Sequence, residues 1–327
     1  MTLAISGTTG ITLAGQFDSA SSFGFKNRII NGQMQIAQRA TSATITAGST
    51  IAAGYSTVDR FYVYCTGANV TAAQVAGSGA TKNRLQITGA ASVTAVGIGQ
   101  RIEQLNSYDM AGSTATLSVD ISNSLLTTVT WTAYYANTTD TFGTLASPTR
   151  TQIATGTFTV TSTLTRYSTQ ISIPAAATTG IEVVFTVGAQ TSGTWVIGNV
   201  QLEKSSIATS FDVRPYGTEL SLCQRYFYKT NQSNTAQVGG LNGTFRNTTT
   251  VAGVAIFPVT MRSAPTTVTR GGTSDTFYVS GLSATASYSS LSPTFSTEMM
   301  WAEWTIAGGT AAFNATYNGQ QSFTAEL

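Results

Sequence analysis

The sequence predicts an all-β protein: a jelly-roll β-sandwich followed by a second, smaller β-sandwich, with an extended arm at the N-terminus. Three observations predict it. Apolar and polar residues alternate with period two in many short runs, as in 114–121 (TATLSVDI), where Ala115, Leu117, Val119 and Ile121 share one face. Gly, Asn, Asp and Pro clusters separate those runs at turn-like intervals. Helical signal is confined to Thr218–Tyr226, where Thr218 caps, Glu219 suits a first turn, and Leu220, Cys223 and Phe227 recur at helical spacing.

Taken in order, residues 1–26 (MTLAISGTTGITLAGQFDSASSFGFK) hold two small Thr/Gly-rich alternating units and then a stretch without periodicity. Such a segment cannot bury a core of its own, so it is expected to be ordered by what it pairs with. Residues 27–213 form the first sandwich, with strands at WTAYY (131–135), TFTVTS (157–162), YSTQISIP (167–174), IEVVFTVGA (181–189) and TWVIGNVQLE (194–203). The dense stretch VQLEKSSIATSFDVRPYGTELSLCQRYF (200–227) ends that domain and begins the next. Residues 214–327 restart the strand pattern with VAGVAIFPVTMR (251–262), DTFYVSGL (275–282), MMWAEWTIAG (299–308) and QSFTAEL (321–327).

Composition narrows the function. Charged residues make up 9% of the 327 residues, against about 25% in an ordinary soluble domain. The 16 basic and 14 acidic side chains give a net charge of +2, and no Lys/Arg cluster tracks a phosphate backbone, so nucleic acid is not expected as a partner. No apolar run is long enough to cross a bilayer as a helix, and MTLAISGTTG lacks a signal-peptide pattern, so export by the secretory route is not expected. Histidine is absent, which removes Ser-His-Asp and Cys-His catalysis and His-ligated metals. Cys65 and Cys223 stand alone, without zinc or disulfide spacing, and are expected to be buried free thiols. The Gly-rich run AGSGATKNR (76–84) lacks the G-K-[ST] ending of a phosphate loop and is expected to be a hairpin turn.

Five segments carry a resemblance. The run NRIINGQMQIAQRAT (27–41), YSTVDRFYVY (55–64), GIGQRIEQ (97–104), the stretch 200–227 and the closing FTAEL (323–327) together resemble bacteriophage virion proteins of the tail-fibre or minor structural type. The pattern is N-x-x-x-N-G followed by Q-R, then D-R-[FWY], then Q-L-E-x-G-x-x-A-T-x-[FW]-x-x-R-P with E-L-x-L-C-Q-R at the junction. Ser205 stands where the pattern has Gly. The first domain also resembles carbohydrate-binding jelly rolls, whose last strand ends in D/N-V-Q-L-E. The resemblance implies a virion protein assembled in the host bacterial cytoplasm, a homotrimer, and an N-terminal arm that attaches the fibre to other virion proteins. Strand addition is the expected route, with Leu3, Ile5, Ile11 and Leu13 filling pockets of the partner; the alternative is an extra edge strand on the chain's own jelly roll. It also implies that 27–38 pairs with 195–203 as first and last strands.

Candidate contacts follow from strand faces. Trp131 and Tyr135 share the face of Ala133 and are expected in the core, which leaves Tyr134 as the candidate sugar-stacking ring. Met300, Ala302, Trp304 and Ile306 form one face, which turns Trp301 outward as the second candidate for glycan or partner contact. Phe211, Arg214, Tyr216 and Arg225 are expected to pack the two domains together. Asp59 and Arg60 are expected to form a partly buried structural pair, and Gln100, Arg101 and Glu103 to form a polar strand face or line a groove. Glycoside hydrolysis needs two carboxylates and no histidine, yet Glu203, Asp212, Glu219 and Glu326 sit at strand ends or in the junction. No catalytic residue, cofactor or metal ligand is therefore expected. The leading expectation is a non-catalytic tail fibre that contributes to host-surface glycan attachment, followed by a capsid-decorating head fibre and then a glycan-cleaving tailspike.

Overall fold

The computed structural model describes residues 3–6, 10–13, 25–48, 54–79, 81–230, 241–271, 276–279, 284–306, 314–317 and 320–327. The protein is all-β, and the chain divides into two compact units, 1–216 together with Leu327, and 217–326.

At the N-terminus, β1 (Leu3–Ser6) pairs antiparallel with β2 (Gly10–Leu13), with Leu3 opposite Leu13 and Ile5 opposite Ile11. Within the arm, the described residues 3–6 and 10–13 thus pair as two strands, and only their backbone is described. The sandwich follows: β3 (Ser42–Ile45), β4 (Tyr62–Thr66), β5 (Val70–Ala76), β6 (Asn83–Thr88), β7 (Ala95–Ile102), α1 (Gln104–Ser107), β8 (Thr114–Asn123), β9 (Thr128–Ala136), β10 (Arg150–Thr159), β11 (Thr165–Ser172), β12 (Ile181–Val187) and β13 (Thr194–Glu203). One sheet has the order β10-β9-β12-β7-β4 and the other β11-β8-β13-β6-β5-β3. Ile98, Val183, Phe185 and Trp131 from the first sheet meet Leu117, Val119, Ile121 and Trp195 from the second in one buried core. The alternation read in 114–121 fixes this geometry, because a strand's period of two sends every second side chain inward.

Residues 27–36 do run beside the last strand, but not as a strand. Arg28 N–H donates to the Leu202 carbonyl at 2.8 Å and Val200 N–H to the Gly32 carbonyl at 3.0 Å. Asn31 and Met34 adopt positive φ, 59° each, which breaks the extended run. The Asn27 and Asn31 side chains replace the ladder: Asn27 Nδ2 donates to the Val200 carbonyl at 3.0 Å, and Asn31 Nδ2 to the carbonyls of Ile36 and Asp59 at 2.8 and 2.9 Å. The Asn-rich motif is a hydrogen-bonded clasp.

In the second unit, α2 (Tyr216–Gln224) leads into β14 (Phe227–Lys229), β15 (Leu241–Phe245), β16 (Thr250–Ile256), β17 (Val268–Gly271), β18 (Thr276–Val279), β19 (Ala284–Phe295), β20 (Met299–Ile306), β21 (Asn314–Tyr317) and β22 (Gln320–Thr324). Its strands go beyond the expected sandwich: β15-β16-β20-β19-β18-β21 close into a barrel, and β14-β22-β17 form a separate three-stranded sheet. Closure removes the exposed edges that an open sheet would present. The register of β19 on β20 shifts between Tyr288 and Ser290, a bulge of the kind that bends a strand around a barrel. The expected strand DTFYVSGL is described only at Thr276–Val279; the rest of it lies outside the described residues.

Met300, Ala302 and Trp304 are fully buried. Replacing Trp304 with Ala is expected to cost about 3–5 kcal/mol. Trp301→Ala, at 39% exposure on the opposite face, is expected to stay within about 0.5 kcal/mol of the parent. Urea unfolding of both variants checks this pair, and equal losses would contradict the face assignment.

Candidate functional site

The outward faces of the two sandwich sheets differ. On the six-stranded sheet, Asp120 is enclosed by donors: Arg166 Nη1 at 3.0 Å, Asn199 Nδ2 at 2.7 Å and Arg84 Nη1 at 3.5 Å. Arg166 also donates to the Asn199 carbonyl and the Ser118 hydroxyl. Three donors thus converge on one carboxylate, while Asn199 Oδ1 is buried without a partner.

The five-stranded sheet instead presents rings, charges and threonines in three rows across the strands. The register sets Tyr62, Gly99, Val184, Thr132 and Thr155 in one row, and Tyr64, Gly97, Thr186, Thr130 and Thr157 in the next. Beside them lies Arg101, Glu182, Tyr134 and Gln152. Two glycines at alternate positions of β7 are what allow the rings to lie down. A Cβ on Gly99 would fall inside the Tyr62 ring and one on Gly97 inside the Tyr64 ring, so each tyrosine rests flat across its neighbouring strand. The two rings are stacked, with centroids 6.4 Å apart and planes 24° apart. Tyr62 is fully buried, met edge-on by Tyr55 at 5.9 Å, whereas Tyr64 is only partly buried.

Glu182 is the hub of the charged row. Fully buried, it accepts from Tyr62 Oη at 2.7 Å and Arg101 Nε at 2.9 Å on Oε1, and from Arg150 Nη1 on Oε2. Arg101 Nη2 donates onward to the Gly143 carbonyl at 3.0 Å, and its guanidinium lies 5.7 Å from the Tyr62 ring centre and 5.3 Å from that of Phe142. Arg150, from the edge strand β10, lies over the Tyr134 ring at 4.0 Å, within cation–π range.

Burial holds the phenols of Tyr55, Tyr62 and Tyr64 above the ordinary tyrosine range, and the Glu182 carboxylate adds to this at Tyr62. The sign follows from linkage. A folded pKa above the unfolded one contributes stability that is fully present below pH 10 and is lost as pH rises through the folded values. Alkaline titration at 295 nm is therefore expected to show a delayed fraction of the 13 tyrosines ionising together with unfolding. A single smooth titration of a still-folded protein near pH 10 would contradict it.

The sequence-predicted residues fall as follows. Tyr134 lies on the outward face and Trp131 and Ala133 inward, as the alternation predicts, but one face of the Tyr134 ring is taken by Arg150. The other partly exposed ring of this face is that of Tyr64. Trp301 is exposed on β20, opposite Val254, in an apolar patch with Ile256 and Met299. Asp59 and Arg60 are both buried: Asp59 accepts from Gln38 N–H at 3.0 Å and faces Arg39 at 3.7 Å, and Arg60 Nη2 donates to the Arg101 carbonyl at 2.6 Å. Gln100, Arg101 and Glu103 are buried rather than an exposed polar face; Gln100 turns away from Arg101 and exchanges two bonds with the Ile30 backbone, each 2.8 Å.

Of the junction residues, Arg214 binds within the first unit, donating to the Ile29 carbonyl at 3.2 Å and to the Asn27 carbonyl, with Phe25 beneath it. Arg225 works within the second, where its carbonyl accepts from Arg262 N–H at 2.8 Å. Phe211 is partly buried and Tyr216 exposed. For Leu3, Ile5, Ile11 and Leu13 the backbone alone is described. Both cysteines are buried, and neither is in a disulfide. Among the described residues no group of three or more His, Cys, Asp or Glu is arranged to hold a metal ion, and no helix is long and apolar enough to cross a membrane.

Tyr62, Tyr64, Arg150 and Glu182 were not singled out by the sequence. The signal was present in the pairing of Y-x-Y (62–64) with G-x-G (97–99), two rings opposite two glycines at the same period.

No protein-family model and no curated protein matches the chain. Solved structures do overlap about half of it at low identity. A CBM4 structure is 14% identical with a TM-score of 0.36, covering 54% of this chain and 98% of that one. TmCBM61 in complex with β-1,4-galactotriose is 9% identical with a TM-score of 0.34, covering 55% and 99%. The enzymatically active domain of bacteriophage CBA120 tailspike protein 4 is 18% identical with a TM-score of 0.32, covering 54% of this chain and 21% of that one.

Proposed function

We propose that the chain is a non-catalytic bacteriophage virion protein, a tail fibre, whose first unit holds a host-surface glycan on the outward face of the five-stranded sheet. The observation that carries the glycan reading is the partly exposed Tyr64 ring lying flat over Gly97, beside the Tyr134–Arg150 stack and two ranks of threonine. A flat ring offers its face to the C–H side of a sugar, and hydroxyls and guanidinium at its edge fix the sugar's polar groups. The junction Q-L-E…A-T-x-F…R-P…E-L-x-L-C-Q-R supports the virion reading.

Glycan cleavage is disfavoured by the state of Glu182. Three donors hold both its oxygens, so it is not a free nucleophile, and hydrolysis needs two carboxylates. The β1–β2 hairpin serves as the attachment arm to tail or capsid partners through Leu3, Ile5, Ile11 and Leu13, and the assembly is a homotrimer. Trp301, with its apolar neighbours, is the second contact surface. A head fibre with a structural role is the alternative that the same junction motif supports.

The test uses the full chain on a glycan array, with Tyr64→Ala alongside. The parent is expected to retain at least one glycan class that Tyr64→Ala loses without a change in melting temperature. Parent protein that retains none would overturn the glycan reading. Labelled protein imaged on intact particles separates tail from capsid.

A further inference from the structure

We propose that the sugar this face takes is acidic, a uronic acid or another carboxylate-bearing residue, held by the free edge of Arg150. The inference rests on the glycan site argued above and adds the class of its ligand.

Charge comes first. Arg101 and Arg150 both bind the Glu182 carboxylate, and Arg101 Nη1 also donates to an oxygen of Leu327 at 2.7 Å, so Arg150 is the guanidinium with fewer acceptors. The next carboxylate along the rim, Asp140, is turned to the Gln104 backbone N–H at 2.7 Å.

Donor geometry then selects Arg150. Arg101 is closed in: Nε binds Glu182, Nη2 binds Gly143, and two rings flank it. Arg150 is engaged at Nη1 alone. Nη2 has no hydrogen bond among the described residues, and Nε, on the same edge of the planar group, is shut from water without a partner. Nη2 is therefore the donor that a carboxylate oxygen reaches first, and two parallel bonds along the edge require Nε to be uncovered as the ligand seats. Tyr134 supports the guanidinium from beneath, so the edge is held in place before any ligand arrives. Glu182 has no such free capacity, because both its oxygens are already bound. What the site lacks is an acceptor, and a neutral sugar hydroxyl fills only half of a two-donor edge.

The experiment measures binding of the full chain to acidic glycans beside their neutral twins: oligogalacturonate against its methyl ester, and sialylated against desialylated oligosaccharides, on an array and then by calorimetry. At least one acidic member is expected to bind about tenfold or more tightly than its twin, the size of a charge-assisted pair. That preference should shrink in high salt and fall to parity in Arg150→Gln. Arg150→Lys keeps the charge but not the fork, and is expected to fall between. Retention of neutral glycans alone, or equal affinity for both twins, overturns this inference and leaves the glycan site standing. Retention of no glycan overturns both.

Discussion

Glu182→Gln is expected to destabilise the first unit by about 3–5 kcal/mol, the cost of stripping the shared anion from buried guanidinium groups. Glu182 is fully buried, and the side chains of Arg101 and Arg150 that it neutralises are 4% and 13% exposed. The amide keeps one acceptor for Tyr62 and Arg101 but offers Arg150 a donor where it needs an acceptor. The chain has two units, so one transition cannot be assumed; the loss is expected in the transition of the first unit, followed by circular dichroism in urea. Removing the cations as well, in Glu182→Gln with Arg101→Met and Arg150→Met, should recover most of the loss, because the penalty is the unpaired charge rather than the absent bond. A loss below about 1 kcal/mol in Glu182→Gln would mean that water reaches the cluster and that its rigidity has been overstated.

The second large effect separates two glycines two positions apart, Gly97 and Gly99. Gly99→Ala drives a methyl group into Tyr62, a fully buried ring pinned by its bond to Glu182 and by Tyr55 and Arg101. The ring has nowhere to go, and a loss of about 1–3 kcal/mol or more is expected from overpacking. Gly97→Ala meets Tyr64, which is partly exposed and can lift away. Its stability is expected to change by less than about 1 kcal/mol, while glycan affinity falls at least about tenfold, because the platform is tilted out of the sheet plane. Melting temperatures and calorimetry on the two variants check both halves. Gly97→Ala that binds as the parent does would remove Tyr64 from the site.

These two glycines also show what the sequence could and could not reveal. The strands at 114–123, 181–187 and 194–203 were legible because alternation is local and sets which side chains face the core, although the polar residues between them, among them Thr116, Ser118 and Glu182, are buried as well. The outward turn of Trp301 and of Tyr134 was legible for the same reason. The platform was not, because it is made by matching Tyr62 and Tyr64 to Gly99 and Gly97 across more than thirty residues of chain, and period alone does not say which strand lies next to which. Glu182 offered a weaker hint, a lone charge in the apolar run IEVVFTV, since an ion in a strand buried on both sides needs partners. Its partners come from strands that begin at residues 62, 95 and 150. The segment 27–36 misled in the opposite direction: its apolar residues are buried like those of a strand, while the backbone turns at Asn31 and Met34 and lets asparagine side chains take the place of the ladder.

The central claim, that the outward face of the five-stranded sheet is the glycan-binding surface, is tested most directly by a crystal structure of the chain with an oligosaccharide that it retains. The account predicts a sugar ring stacked on Tyr64, with its carboxylate on the Nε–Nη2 edge of Arg150 and hydroxyls reaching Thr130, Thr157 or Thr186. Glycan density seated on Trp301 and its neighbours Val254, Ile256 and Met299, with the Tyr64 face bare, would contradict it.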